Sequence, residues 1–279
     1  MCQFCVEHGE GKRWYLQAQN YAFDLDADLK RRDYVVQFVR GFDTMRASAI
    51  TAGDILGKLP APIGRLGKHA ITKNMQKSHF GQPVSIEDCE KVLALATSIT
   101  AIPCVCRMHE PNRTADEVCL LVTAKPIDDV LAEGFADYDG GPDLDDFHSM
   151  TTDETMSLLR ECEQHGLMHS IWTFKTPFTA AICNCNLSSG CMAMKMTATY
   201  GIKVMWRGED VAVFDTEKCS GCNRCAKVCP FDAIATNGRN PVIPHAEKCW
   251  GCGICRSACS QDAIRLVDRR DVPVVAAVW

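Results

Sequence analysis

Lys218-Cys219-Ser220-Gly221-Cys222-Asn223-Arg224-Cys225-Ala226-Lys227-Val228-Cys229-Pro230 recurs, thirty residues on, as Lys248-Cys249-Trp250-Gly251-Cys252-Gly253-Ile254-Cys255-Arg256-Ser257-Ala258-Cys259-Ser260. Each stretch spells C-x2-C-x2-C-x3-C, follows a glutamate (Glu217, Glu247), and leads into Asp-Ala-Ile at 232–234 and 262–264. Two copies at a fixed offset predict a pseudo-twofold unit, since a solenoid would need at least three repeats. A continuous C-x2-C-x2-C with a distant fourth cysteine fits zinc poorly, because zinc sites usually take two separated cysteine pairs. Three cysteines three residues apart instead wrap a loop around one face of a polynuclear centre.

The rest of the chain fits that chemistry. It has 279 residues, of which 47% are hydrophobic and 23% charged, the composition of an ordinary globular protein. A chain this long buries roughly 75% of its unfolded surface, so it needs no disulfides to fold. No apolar run approaches the roughly 20 residues of a membrane span. Cys2 to His8 offer no apolar signal segment, so the reading predicts a cytoplasmic protein. In that reducing compartment 18 cysteines point to metal or redox chemistry. The net charge of −5 and the lack of a Lys/Arg-rich run argue against a nucleic-acid partner. The turn-like Arg207-Gly208-Glu209-Asp210 marks a boundary between a cysteine-rich α/β domain, 1–210, and a smaller domain, 211–279.

Over about residues 211–270 the chain resembles the two-[4Fe-4S] bacterial-type ferredoxin domain, in which the fourth cysteine of each run serves the other cluster. The resemblance implies an α+β chain ending in a ferredoxin-like βαβ repeat, and one-electron transfer. It also implies two ligand sets: Cys219, Cys222, Cys225 and Cys259 for cluster I, and Cys249, Cys252, Cys255 and Cys229 for cluster II. Gly221, Gly251 and Gly253 let backbone N–H groups approach sulfur. Pro230 turns the chain after one crossing ligand, whereas Ser260 departs from the usual proline. Trp250, between two ligands, is expected to shield cluster II from water.

Ten cysteines precede the double run. Cys89 and Cys162 fall inside helical patterns and read as small buried hydrophobes. Cys104-Val105-Cys106 and Cys183-Asn184-Cys185 are pairs whose side chains point the same way in an extended chain. The segments around them, a CxCR stretch followed by Cys119-Leu120 and a C-N-C stretch followed by Cys191, are similar to segments of cysteine-rich iron–sulfur proteins of anaerobic bacteria. They predict a third [4Fe-4S] cluster on Cys104, Cys106, Cys183 and Cys185, with Cys191 and Cys119 as alternates. A structural zinc site or unligated thiols is the competing reading. Cys2 and Cys5, with His8, match neither the C-x-x-C-H of haem attachment nor a thioredoxin-type turn, and would serve a third or fourth cluster or zinc.

Among the remaining segments, Tyr34–Val39 reads as a strand from its β-branched and aromatic content. Helices are predicted over Thr44–Leu59, Ile86–Ser98 (opened by the capping-box-like Ser85-Ile86-Glu87-Asp88) and Thr152–His165, the last stopped by Gly166. The aspartate-rich loop Asp137–Asp146 lacks the sixth-position glycine and twelfth-position glutamate of an EF-hand and reads as a solvated acidic loop. No Rossmann, P-loop or triad pattern occurs. The sequence therefore predicts an electron-transfer protein or subunit relaying single electrons to or from a partner oxidoreductase. The alternative is an iron–sulfur oxidoreductase with a substrate or redox-sensing site in its N-terminal domain.

Overall fold

The computed structural model describes residues 13–21, 28–75, 77, 79–108, 118–136, 144–176, 178–237, 240–242 and 246–278. The chain is mixed α+β. Its centre is a six-stranded antiparallel sheet built from β1 (Gly81–Val84), β2 (Ser98–Pro103), β3 (Val118–Thr123), β4 (His148–Ser149), β5 (Met168–Thr173) and β6 (Thr179–Cys185). The strand order is β1-β5-β6-β3-β2-β4.

Alternation along the strands sorts the side chains into two cores. Leu120, Val122, Ile171 and Ile182 face α4 (Ile86–Leu95) and α6 (Thr152–Gln164), packing on Val92, Leu93, Met156 and Leu159. Cys119, Leu121, Met168, Trp172, Ala181 and Cys185 face the other way. That second face is covered by α1 (Leu29–Arg40) and α5 (Asp128–Phe135), flanked by α2 (Phe42–Lys58) and α3 (Ala61–Met75). Cysteines two residues apart on β6, and opposite one another on β3 and β6, thus meet on one side of the sheet.

Tyr34–Val39 is helical and not a strand. Asp28 caps α1 by accepting from the Arg31 N–H, and Val35, Val36 and Val39 lie on one face buried in the core with Val130 and Leu131 of α5. Tertiary burial overrides the weak strand preference of the valines. The other helices start near their expected positions. Thr151 and Glu154 complete a capping box on α6, and Gly166 follows that helix with φ +75°. At α4 the Ser85 hydroxyl accepts from the Asp88 N–H. The buried Asp88 carboxylate does not reach back to close the box; it binds Arg13, Tyr15 and Lys91.

In the C-terminal region β7 (Asp210–Phe214) pairs antiparallel with β10 (Ile264–Asp268), and β8 (Ala235–Asn237) pairs with β9 (Asn240–Val242). Short helices α7 (Arg224–Val228) and α8 (Ile254–Ser257) carry the third cysteine of each run. The repeat is visible in the backbone: positive φ recurs at Gly221 and Gly251, Asn223 and Gly253, and Asp232 and Asp262.

This region seats tightly on the sheet. Arg269 is fully buried and donates to the carbonyls of Gly208 (2.8 Å), Asp210 (3.0 Å) and Cys249 (3.1 Å). A Cβ at Gly251 would lie 2.1 Å from the Asp210 carbonyl oxygen, at a φ of +74°. At Gly253, also at positive φ, it would meet only the tip of Leu266 at 3.1 Å. Both substitutions to alanine carry the left-handed penalty of about 1–2 kcal/mol, and only Gly251→Ala adds a backbone collision. Gly251→Ala is therefore expected to lower the unfolding midpoint of the anaerobic holoprotein more than Gly253→Ala, and equal midpoints would contradict this packing.

Candidate iron–sulfur sites

The double run forms two cavities. One is lined by Cys219, Cys222, Cys225 and Cys259, with Phe214, Ala258 and Ile264 around them. The other is lined by Cys229, Cys249, Cys252 and Cys255, with Phe231, Trp250 and Ile254. The structure thus places Cys259 beside the first run and Cys229 beside the second. The left-handed residues explain how the loops close. They turn backbone N–H groups inward, so that Cys222 accepts from the Arg224 N–H and Cys252 from the Ile254 N–H, at equivalent places in the two repeats.

The two sites differ in setting. Cys222 is exposed, and its thiol is pulled below the ordinary range by the Arg224 N–H. Cys249, Cys252 and Cys255 are buried, and burial pushes Cys252 and Cys255 well up. Cys229 is also raised by burial. Trp250 is buried and stacks on Phe231, with ring centroids 4.9 Å apart. Arg207 lies over the Trp250 ring at 4.8 Å and donates to the Cys249 carbonyl at 3.0 Å. Burial, then the charge of Arg269, holds the Arg207 guanidinium down to about 10, so it stays cationic near neutral pH.

The third cysteine group is on the sheet. Cys104, Cys106, Cys119, Cys183, Cys185 and Cys191 all line one cavity of about 160 Å³. Their thiols contact one another in a run: Cys183 to Cys119, Cys119 to Cys104, Cys104 to Cys106, Cys106 to Cys191, and Cys191 to Cys185. Cys106, Cys119 and Cys185 are pushed up by hydrogen bonds to neighbouring thiols and by burial. Cys104 and Cys191 are held well down by the bonds they receive. The Arg107 guanidinium is buried beside Cys104, fixed by donation to the Asn184 carbonyl at 2.6 Å. Among the described residues no three His, Cys, Asp or Glu side chains converge on a single point, as one zinc ion would require. A cubane takes one thiolate at each of four corners, and six thiols line this cavity.

The opposite wall of this cavity is apolar: Phe38, Phe42, Met45, Ile71 and Met75. His79 completes it, stacked on Trp172 and donating through Nδ1 to the Thr173 carbonyl. Sequence reading passed over His79 and Cys119's central place, because both depend on which strands pair. Cys89 and Cys162 are buried in their helices, away from this cavity. Cys2, Cys5 and His8, and Asp137, Asp139 and Asp143 of the acidic loop, lie outside the described residues; Asp145 and Asp146 are exposed.

A family model described as a 4Fe-4S binding domain matches residues 212–235 and 242–265, one cysteine run in each segment. No curated protein and no solved structure matches the chain. Residues 212–265 thus form a ferredoxin-type 4Fe-4S binding domain, and iron–sulfur electron transfer is the general chemistry of that domain. Among the described residues no helix is long and apolar enough to cross a membrane.

Burial lowers His79, which lines the cavity, to about 4. The unfolded chain, with histidine near 6.5, binds more protons between those values, so this group's stabilisation is present above pH 6.5 and is lost as pH falls toward 4. Between pH 7 and pH 5 the loss is about 2 kcal/mol. His79→Phe should flatten the pH dependence of denaturant unfolding over that window, and parallel curves would rule the effect out.

Proposed function

We propose that the protein relays single electrons through three iron–sulfur centres to or from a partner oxidoreductase. Cluster I would be held by Cys219, Cys222, Cys225 and Cys259, cluster II by Cys229, Cys249, Cys252 and Cys255, and a third centre by four of the six sheet cysteines. The observation that carries this reading is continuity. Trp250, Cys252 and Ile254 from the second cavity share one hydrophobic core with Cys104, Cys119, Cys185 and Cys191. The sites therefore run from an exposed end at Cys222 to an enclosed end against the sheet. A partner protein would dock at the exposed end, and the division of labour would follow the boundary near residue 210. A reducing cytoplasm suits exposed thiolate ligands.

The apolar cavity wall beside the six thiols favours a second reading, in which the enclosed end also works on a small substrate. Either way the chain's own groups set the potentials. Arg207 and Arg269 both donate to the Cys249 carbonyl, which favours the more reduced, more negative state of cluster II.

Anaerobically prepared protein should contain about twelve irons per chain, against about eight for two clusters alone. Cys222→Ser should perturb the EPR of one cluster and leave the others, and a variant indistinguishable from wild type would count against cluster I. Arg207→Gln should lower one cluster's potential by on the order of 50 mV in a redox titration; an unchanged set of potentials would show that this arginine does not tune cluster II.

A further inference from the structure

Six thiols line the sheet cavity and a cubane takes four, so two are surplus. Resting on the third centre proposed above, we propose that Cys104, Cys106, Cys185 and Cys191 hold that centre, and that Cys119 and Cys183 form a redox-active dithiol beside it.

The contacts divide the six in this way. Cys104 touches Cys106, Cys106 touches Cys191, and Cys191 touches Cys185. Cys185 in turn lies within electrostatic range of Cys104 and also of Cys183, so these four make a group that borders the remaining two. Cys119 and Cys183 are set off by the sheet: they are a cross-strand pair, directly opposite one another in the register of β3 and β6, with their thiols in contact. Opposed residues on antiparallel strands have Cα atoms about 4.5–5.5 Å apart, inside the range of about 4.4–6.8 Å that a disulfide spans. The contact of Cys119 with Cys104 places the pair next to the ligand set. This partition exchanges Cys183 for Cys191 relative to the set read from sequence.

The chemistry balances without another reagent. Oxidation joins the two sulfurs in one S–S bond and releases two electrons to the clusters and two protons to water. Reduction breaks that bond with two electrons delivered one at a time through the clusters, and two protons return. The pair converts a one-electron relay into a two-electron store facing the apolar cavity.

The test uses anaerobic holoprotein, wild type and Cys119→Ser/Cys183→Ser. Poised oxidation of the wild type should yield a Cys119–Cys183 linked peptide by mass spectrometry, with about twelve irons retained. The double variant should keep the same iron content and EPR spin count, and should take up about two fewer electrons in coulometric titration. The proposal is overturned if the double variant loses about four irons, which makes one of the pair a ligand. It is overturned equally if wild type and variant take up the same number of electrons, or if no linked peptide forms at any potential that leaves the iron in place. About eight irons in the wild type would instead remove the third centre, and this partition with it.

Discussion

Sulfur ligands must be thiolates to bind iron, yet a thiolate buried in an apolar cavity without a cation nearby is strongly disfavoured. The rest of the structure is organised around that conflict. Burial pushes up Cys225, Cys229, Cys252 and Cys255, and thiol contacts with burial push up Cys106 and Cys185. A metal centre resolves the conflict by supplying the positive charge that lets these thiols ionise. Backbone N–H groups from left-handed residues and the buried guanidiniums of Arg107 and Arg269 share the remaining charge. Cofactor binding would therefore be coupled to folding, since burial makes the pocket a poor place for ionised sulfur without a metal.

The junction between the sheet and the double run is a close backbone contact. Gly208 and Gly251 let backbone approach backbone where any side chain would collide. Arg269 then fills the junction with donors to three carbonyls, one of them from Cys249. Gln82 of β1 extends the connection: it accepts from Trp14 and donates to the Arg207 carbonyl. The loops of the double run are thus braced by the sheet and not left to swing on a linker.

The double run was legible from sequence because its spacing is local: each loop is specified by its own glycines and cysteines, whatever the rest of the chain does. Helices with local caps, such as the one opened by Thr151, were legible for the same reason. Tyr34–Val39 misled because its valines carry a strand bias that only packing against α5 reverses. The sheet order, and with it the opposition of Cys119 to Cys183, depends on pairings between distant segments that no local pattern encodes. Sequence could show that Cys183 and Cys185 share a face. It could not show that Cys191 returns to close the group, because that depends on the turn after β6.

Departures from the repeat give the array its polarity. Position 220 is serine where position 250 is tryptophan, and position 223 is asparagine where 253 is glycine. The serine side leaves Cys222 open to solvent, while Trp250 seals the equivalent loop against Phe231 and the sheet core. Two loops of identical ligand spacing thereby acquire different solvent access and different neighbouring charge, the variables that set an iron–sulfur potential. In the relay proposed above, the exposed centre would exchange electrons with a partner and the enclosed one would pass them inward. A symmetric pair would offer both ends equally. The single tryptophan, with the arginine that covers it, is enough to enclose one loop while its repeat stays open to solvent.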